Sequence, residues 1–198
     1  MKKKGHLQYR LLKPFYEYAA KEMCTDFKDY ISDSKKVLDL GCGSGIVANE
    51  IEKRFNLKVQ GIDIVDMRVV DISFKKYNGK DLSFISNNEF DTVLISYVLH
   101  HTENPKEILR QVVKIANKNI VIYEDMNEGF LGKIYCKMHG RLFDLFFLRN
   151  SVNANFYSEK EWKKIFKELG LKIVYSKEKK IFLNPVRRKL FVLEKMGV

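Results

Sequence analysis

The amino-acid sequence predicts an α/β protein in which a largely parallel sheet is wrapped by helices on both faces. Three observations carry this. Short β-branched and apolar runs alternate with helix-spaced segments, a glycine-rich turn joins the first run to its helix, and two strand-like runs lie close together near the end. Strands that alternate with helices are parallel, because each crossover helix returns the chain to the same edge. The 198 residues suit one domain built around a sheet, read here as 1–198.

Residues 1–33 form an N-terminal helical segment. Pro14 opens a helix that runs to about Ile31, with Phe15, Tyr16, Ala19, Ala20, Met23, Phe27 and Tyr30 on one stripe. VLDL (37–40), KVQGIDI (58–64), FDTVLISY (90–97) and NIVIYED (119–125) read as buried strands, and ISFKKYN (72–78) as a weaker one. GIVANEIEKRF (45–55) and NPKEILRQVVKIANK (104–118) read as helices, the second entered through Asn104 as N-cap and Pro105 at its first position. YSEKEWKKIFKELG (157–170) is a helix closed by Gly170. LKIVYSKE and RKLFVLEK then follow on either side of a turn containing Asn184 and Pro185, which suggests an antiparallel pair at the end of the sheet.

The formal net charge is +11. Such a balance attracts RNA, DNA or an anionic membrane surface, but the lysines are spread along the whole chain, so a solvated basic surface is the preferred reading. Cys24, Cys42 and Cys136 are scattered and odd in number, which gives neither a disulfide framework nor a metal site. The N-terminal residues lack an apolar leader core and no run is long enough to cross a bilayer, so a cytoplasmic location is expected.

The stretch Asp39-Leu-Gly41-Cys-Gly43-Ser-Gly45 raises the question of its ligand. A dinucleotide fingerprint would place its third glycine at position 46, which is Ile46, and a P-loop would need Gly-Lys-Ser/Thr, where Gly45 is followed by Ile-Val. What remains is a strand turning sharply into a helix, with bare backbone open to a ligand and a helix N-terminus that draws a carboxylate as readily as a phosphate. Asp63 ends the next strand, 18 residues after Gly45, where an acid accepts from both hydroxyls of a ribose. A ribose plus an anionic group that is not a pyrophosphate describes S-adenosylmethionine.

VLDLGCGSG and GIDI resemble the first two motifs of the class I S-adenosylmethionine-dependent methyltransferases, in their broad type-11 group. GKDLSFISNNEFDTVLISYVLHHTENPKEILRQ is similar to the family's fourth strand and following helix, and FYSEKEWKKIFKELGLKIV to its penultimate helix and strand. The resemblance implies a Rossmann-like, doubly wound sheet of seven strands, mostly parallel, with the last strand antiparallel. It implies S-adenosylmethionine as cofactor, held by Asp39, Gly41, Cys42, Gly43 and Gly45, by Asp63 and Ile64, and by Ser96 at the end of strand four. Asn78 and Gly79 stand where the family often has Gly-Asp near the adenine amino group; an amide still accepts there, without charge assistance. Only seven residues separate Ile64 from Ile72, too few for the family's helix at that point.

His100 and His101 end strand four at the ligand edge, as acid–base residues or as shapers of the loop. Glu124 and Asp125 end strand five there, either capping the next segment or, for Asp125, facing substrate. Tyr157 is pocket wall or core. Ser96-Tyr97-Val98-Leu99 lacks the Asn/Asp-Pro-Pro-aromatic box of enzymes that methylate nucleobase amino groups in DNA. Residues 128–149 match nothing general in the family. Phe130, Ile134, Met138, Leu142 and Leu145 or Phe146 share one helical face, with Lys133, Lys137 and Arg141 on another. The expectation is an inserted lid whose Phe130, Met138 and Phe146 touch the acceptor; a membrane-surface or RNA-facing helix is the alternative. The expected activity is methyl transfer to a small, partly apolar acceptor on O, N or C. The alternatives are an RNA or protein methyltransferase and a catalytically silent cofactor-binding module.

Overall fold

The computed structural model describes residues 4–129, 132, 134, 155–179 and 186–196. Helices α1 (Lys4–Leu11), α2 (Lys13–Asp26) and α3 (Lys28–Ile31) precede β1 (Lys36–Leu40), α4 (Ile46–Phe55), β2 (Lys58–Asp63), β3 (Ser73–Lys76) and β4 (Phe90–Ser96). A single 3-10 turn at Leu99–His101 leads to α5 (Pro105–Ile115), β5 (Ala116–Met126), α6 (Glu159–Glu168), β6 (Leu171–Lys179) and β7 (Arg187–Lys195). Among the described residues these make a seven-stranded sheet ordered β3-β2-β1-β4-β5-β7-β6. Only β7 runs against its neighbours, pairing antiparallel with both β5 and β6. The expected sheet is therefore present, its two outermost strands being β3 and β6.

Both faces of the central strands are buried, so consecutive residues enter opposite cores. Val37, Leu94 and Val121 pack with Met23, Phe27 and Ile51 beneath the N-terminal helices and α4. Leu38, Ile95 and Ile122 pack with Leu109, Val112, Trp162 and Phe166 of α5 and α6. This is why the strands read as nearly continuous apolar runs. Trp162 and Phe166, each 1% exposed, contribute about 1.5–3 kcal/mol apiece through apolar burial. Helix starts follow the side chains: Asn104 accepts from the Glu107 amide, and Ser158 and Glu161 form a reciprocal capping box.

Two boundaries differ from expectation. The first helix breaks at Phe27, whose backbone (φ −111°, ψ 13°) leaves the helical region. Residues 116–118 belong to β5, because Ala116 takes up extended backbone and pairs with Phe90. As expected from the short spacing between Ile64 and Ile72, no helix intervenes between β2 and β3. In the 128–149 segment Gly132 and Ile134 are helical, while Phe130, Met138 and Phe146 lie outside the described residues.

Candidate functional site

The carboxyl edge of the parallel strands opens into one cavity of about 610 Å³. Asp39, Gly41, Cys42, Gly43, Asp63, Ile64, Asn78, Gly79 and Ser96 all line it, so nearly every expected cofactor residue is gathered there. Gly45, at the start of α4, lies outside the lining and completes the turn from behind.

The turn is built from backbone. Gly41, Gly43 and Gly45 have φ of +77°, +50° and +76°. At Gly41 a side chain would be strained twice over, by the positive φ and by a Cβ placed 2.3 Å from Val98 Cγ2. The Gly41 and Cys42 amides donate to the Ile62 carbonyl at 2.7 and 3.2 Å, tying the turn to β2. Asp63 then reaches across it. Its Oδ2 accepts from the Gly43 amide at 2.9 Å and its Oδ1 from the Val65 amide at 3.4 Å. Each oxygen has a second lone pair for a hydroxyl.

Neither Asp39 nor Asp63 has a cationic partner among the described residues. Burial, reinforced by the neighbouring Asp63, pushes the Asp39 carboxyl up to about 7. Burial also raises Asp63, against the opposing pull of its backbone donors. Ser96 Oγ is buried without a hydrogen-bond partner. Two carboxylates without cations and one unanswered hydroxyl fit a ligand that brings an ammonium and ribose hydroxyls. The Cys42 thiol is raised by burial and stays inert there.

The corner at Asn78 is differently arranged from expectation. Asn78 Oδ1 accepts from the Lys80 and Asp81 amides at 2.9 and 2.8 Å, so the carboxamide oxygen closes its own turn. Gly79 stands beside it at φ +83°.

At the far end of the cavity His100 is 1% exposed, with Nδ1 2.5 Å from Glu124 Oε2. Glu124 Oε1 accepts from the Leu99 amide at 2.8 Å, so this acid caps the 3-10 turn and orients the histidine at once. The His100 ring stacks on Phe156 at 4.5 Å and meets His101 at 4.1 Å. Burial lowers the imidazole pKa, but the charge and hydrogen bond of Glu124, with Asp125, outweigh it and leave the value raised. His100, His101 and Asp125 all line the cavity. Tyr157 does not; its ring packs edge-to-face on Trp162 at 5.0 Å, which makes it part of the core under α6.

The sequence reading missed the roof. Tyr9, Phe15, Tyr16, Ala19, Ala20 and Met23 of α1 and α2 close the cavity over the turn. The helical stripe was visible, but a stripe does not say what it faces. Tyr97 and Arg188 were also missed; Tyr97 is held at φ +58°, a backbone state uncommon for a side chain of its size.

The methyltransferase-domain family matches residues 8–176. The chain belongs to this family. Its fold is that of the class I enzymes, and S-adenosylmethionine is the cofactor of this family and fold. The match is to the domain at large and does not single out the type-11 group. An uncharacterized protein of Methanocaldococcus jannaschii is 33% identical over 146 residues, covering 68% of this chain and 63% of that protein. A ubiquinone biosynthesis O-methyltransferase of Neisseria meningitidis is 28% identical over 108 residues, covering 48% of this chain and 45% of its own length. The chain thus spans less than two thirds of either relative. A solved S-adenosylmethionine-dependent methyltransferase of Methanosarcina mazei shares the fold at a TM-score of 0.67 and 18% identity, over 87% of this chain and 97% of that one. Among the described residues no helix is long and apolar enough to cross a membrane.

Proposed function

We propose that this protein transfers a methyl group from S-adenosylmethionine to a small, partly apolar acceptor. The observation that carries the reading is the shared cavity. The cofactor-type turn and a wall of Phe15, Tyr16, Ala19, Met23 and Tyr97 face the same enclosed space, of ordinary small-molecule size. The Neisseria relative, named as an O-methyltransferase of ubiquinone biosynthesis, supports an acceptor of this kind.

In this reading Asp63 holds the ribose hydroxyls, Asp39 the ammonium, and the turn with the start of α4 the carboxylate of the cofactor. When bound, the cofactor supplies an electrophilic methyl carbon on a sulfonium. The protein's work is then to position the acceptor and exclude water, which the roof of α1 and α2 does. For a hydroxyl acceptor, His100 takes the proton, held in orientation by Glu124, with His101 beside it on the cavity wall. His100, His101, Asp125 and Arg188 place polar groups beside the apolar wall of the cavity.

The test is transfer of a labelled methyl group from S-adenosylmethionine into a lysate of the native cell, fractionated into small molecules, lipid, RNA and protein. Label in the small-molecule or lipid fraction is expected. Label in RNA or protein would favour the rival substrate classes that the charge of +11 suggests. Cofactor binding without transfer to any fraction would make the chain a silent binding module.

A further inference from the structure

We infer that the acceptor carries a carboxylate, and that Arg188 is the residue that recognises it. This rests on the methyl-transfer reading above and specifies its substrate class. Arg188 sits on β7, directly opposite Asp125 in the β5–β7 register. Its Nε donates to Asp125 Oδ1 at 3.1 Å, and its guanidinium carbon lies 5.2 Å from the centre of the Tyr97 ring. The planar group is thus fixed on two sides while lining the cavity.

Among the described residues its terminal nitrogens are not used. No hydrogen bond from Nη1 or Nη2 is made to any described residue; the Nε bond to Asp125 is the guanidinium's anchor. The pair is also asymmetric in access. The Asp125 side chain is 6% exposed and that of Arg188 is 27% exposed, so a ligand meets the cation rather than the acid. The other acids near Tyr97 already have partners: Glu124 holds His100, and Asp26 holds Lys177 and Lys179. What this end of the cavity offers an incoming molecule is therefore a preoriented fork of donors with a positive charge. A carboxylate fits that fork with two parallel bonds, as a neutral amide or an amine does not.

The cofactor's own carboxylate is not the occupant. Its place is the turn after β1, and β7 stands three strands away, about 14 Å across the sheet at ordinary strand spacing. The aromatic and apolar wall between those points suits an aromatic or aliphatic acid.

The experiment measures binding of 4-hydroxybenzoate, 4-hydroxybenzamide and tyramine to the full chain loaded with S-adenosylhomocysteine, by calorimetry. The acid should bind at least about tenfold more tightly than the amide, the return expected for a hydrogen-bonded charge, and tyramine should bind most weakly. Arg188→Met should erase the preference for the acid, and Arg188→Lys, which keeps the charge and a bond to Asp125, should retain part of it. Both variants should hold S-adenosylhomocysteine within about threefold of the parent, which reports that the fold is intact. Equal binding of acid and amide, a preference for tyramine, no binding of any of the three, or a preference that survives Arg188→Met would each overturn the proposal. Failure of the parent protein to bind S-adenosylhomocysteine would instead sink the methyl-transfer reading itself.

Discussion

Two acid clusters stand on the same sheet edge and are treated in opposite ways. Asp39 and Asp63, at the tips of β1 and β2, have no cation among the described residues, and burial raises both. Glu124 and Asp125, at the tip of β5, are each answered within the protein, by His100 and Arg188. A buried carboxylate costs free energy unless paired. The first cluster is thus left for a ligand to complete, while the acids of the second are answered within the protein. Removing the buried Glu124 of the second should disturb the fold, and removing an acid of the first should disturb binding.

The largest expected effect tests the internally paired side. Glu124→Ala strips the buried His100 of its partner and leaves the Leu99 amide uncapped, which should cost about 3–5 kcal/mol of stability. Denaturant unfolding measures this. The lost contribution has a pH signature: because His100 is raised in the folded state, it is fully present below the ordinary value of 6.5 and fades as pH rises through the folded value. A variant as stable as the parent would show that the pair is ornamental.

Next comes Asp63→Ala, on the ligand-completed side. Its stability should change little beyond the loss of two hydrogen bonds donated by the Gly43 and Val65 amides, but cofactor affinity should fall by about 2–3 kcal/mol in calorimetry. Unaltered affinity would mean that the ribose is held elsewhere.

A smaller effect sharpens the contrast through protons. Asp39 rises from an ordinary 3.8 to about 7 on folding, so the folded protein binds this proton more tightly than the unfolded chain. Its contribution to stability is full below pH 3.8 and is lost as pH climbs to about 7. Binding runs the other way. A cofactor ammonium needs the ionised acid, so affinity for S-adenosylmethionine should rise with pH up to about 7, by at most about tenfold per unit, and then level off. Calorimetry between pH 5.5 and pH 8.5, values chosen to bracket about 7, should show that slope, and Asp39→Asn should flatten it.

The smallest effect is at Ser96→Ala. The hydroxyl has no partner among the described residues, so its removal should leave unfolding unchanged. If it serves the cofactor, affinity falls by about 1 kcal/mol. A clear loss of stability without loss of affinity would make the hydroxyl structural.

The same contrast explains what could be read from sequence. The turn from Asp39 to Gly45 announces itself because its residues are adjacent and its glycines are demanded by positive φ and by contact with Val98. Asp63 follows from its place at the tip of the next strand, 18 residues after Gly45, and from the GIDI resemblance. The acceptor end is assembled from distant pieces. Arg188 meets Asp125 only through the antiparallel β5–β7 register, across 63 residues of sequence. Tyr9 and Tyr16 reach the cavity because α1 and α2 fold back over the turn, a tertiary event with no local signature. Asn78 was read by position, yet its oxygen is taken by the Lys80 and Asp81 amides, the short-range competition typical of that side chain. Tyr157 was read as wall or core, and Trp162 claims its ring.

The two outermost strands bear on how this molecule behaves in a crowded solution. An unpaired strand edge is a template on which a second chain can grow the sheet. β3 is only four residues long and ends in exposed Lys75 and Lys76, while β6 carries Lys172, Lys177 and Lys179 along its length. A copy approaching the β3 edge meets like charges before it can form a ladder of hydrogen bonds, whereas the β6 lysines are drawn into pairs with Glu194 and Asp26. Part of the +11 thus serves colloidal separation, keeping open-ended sheets from joining edge to edge.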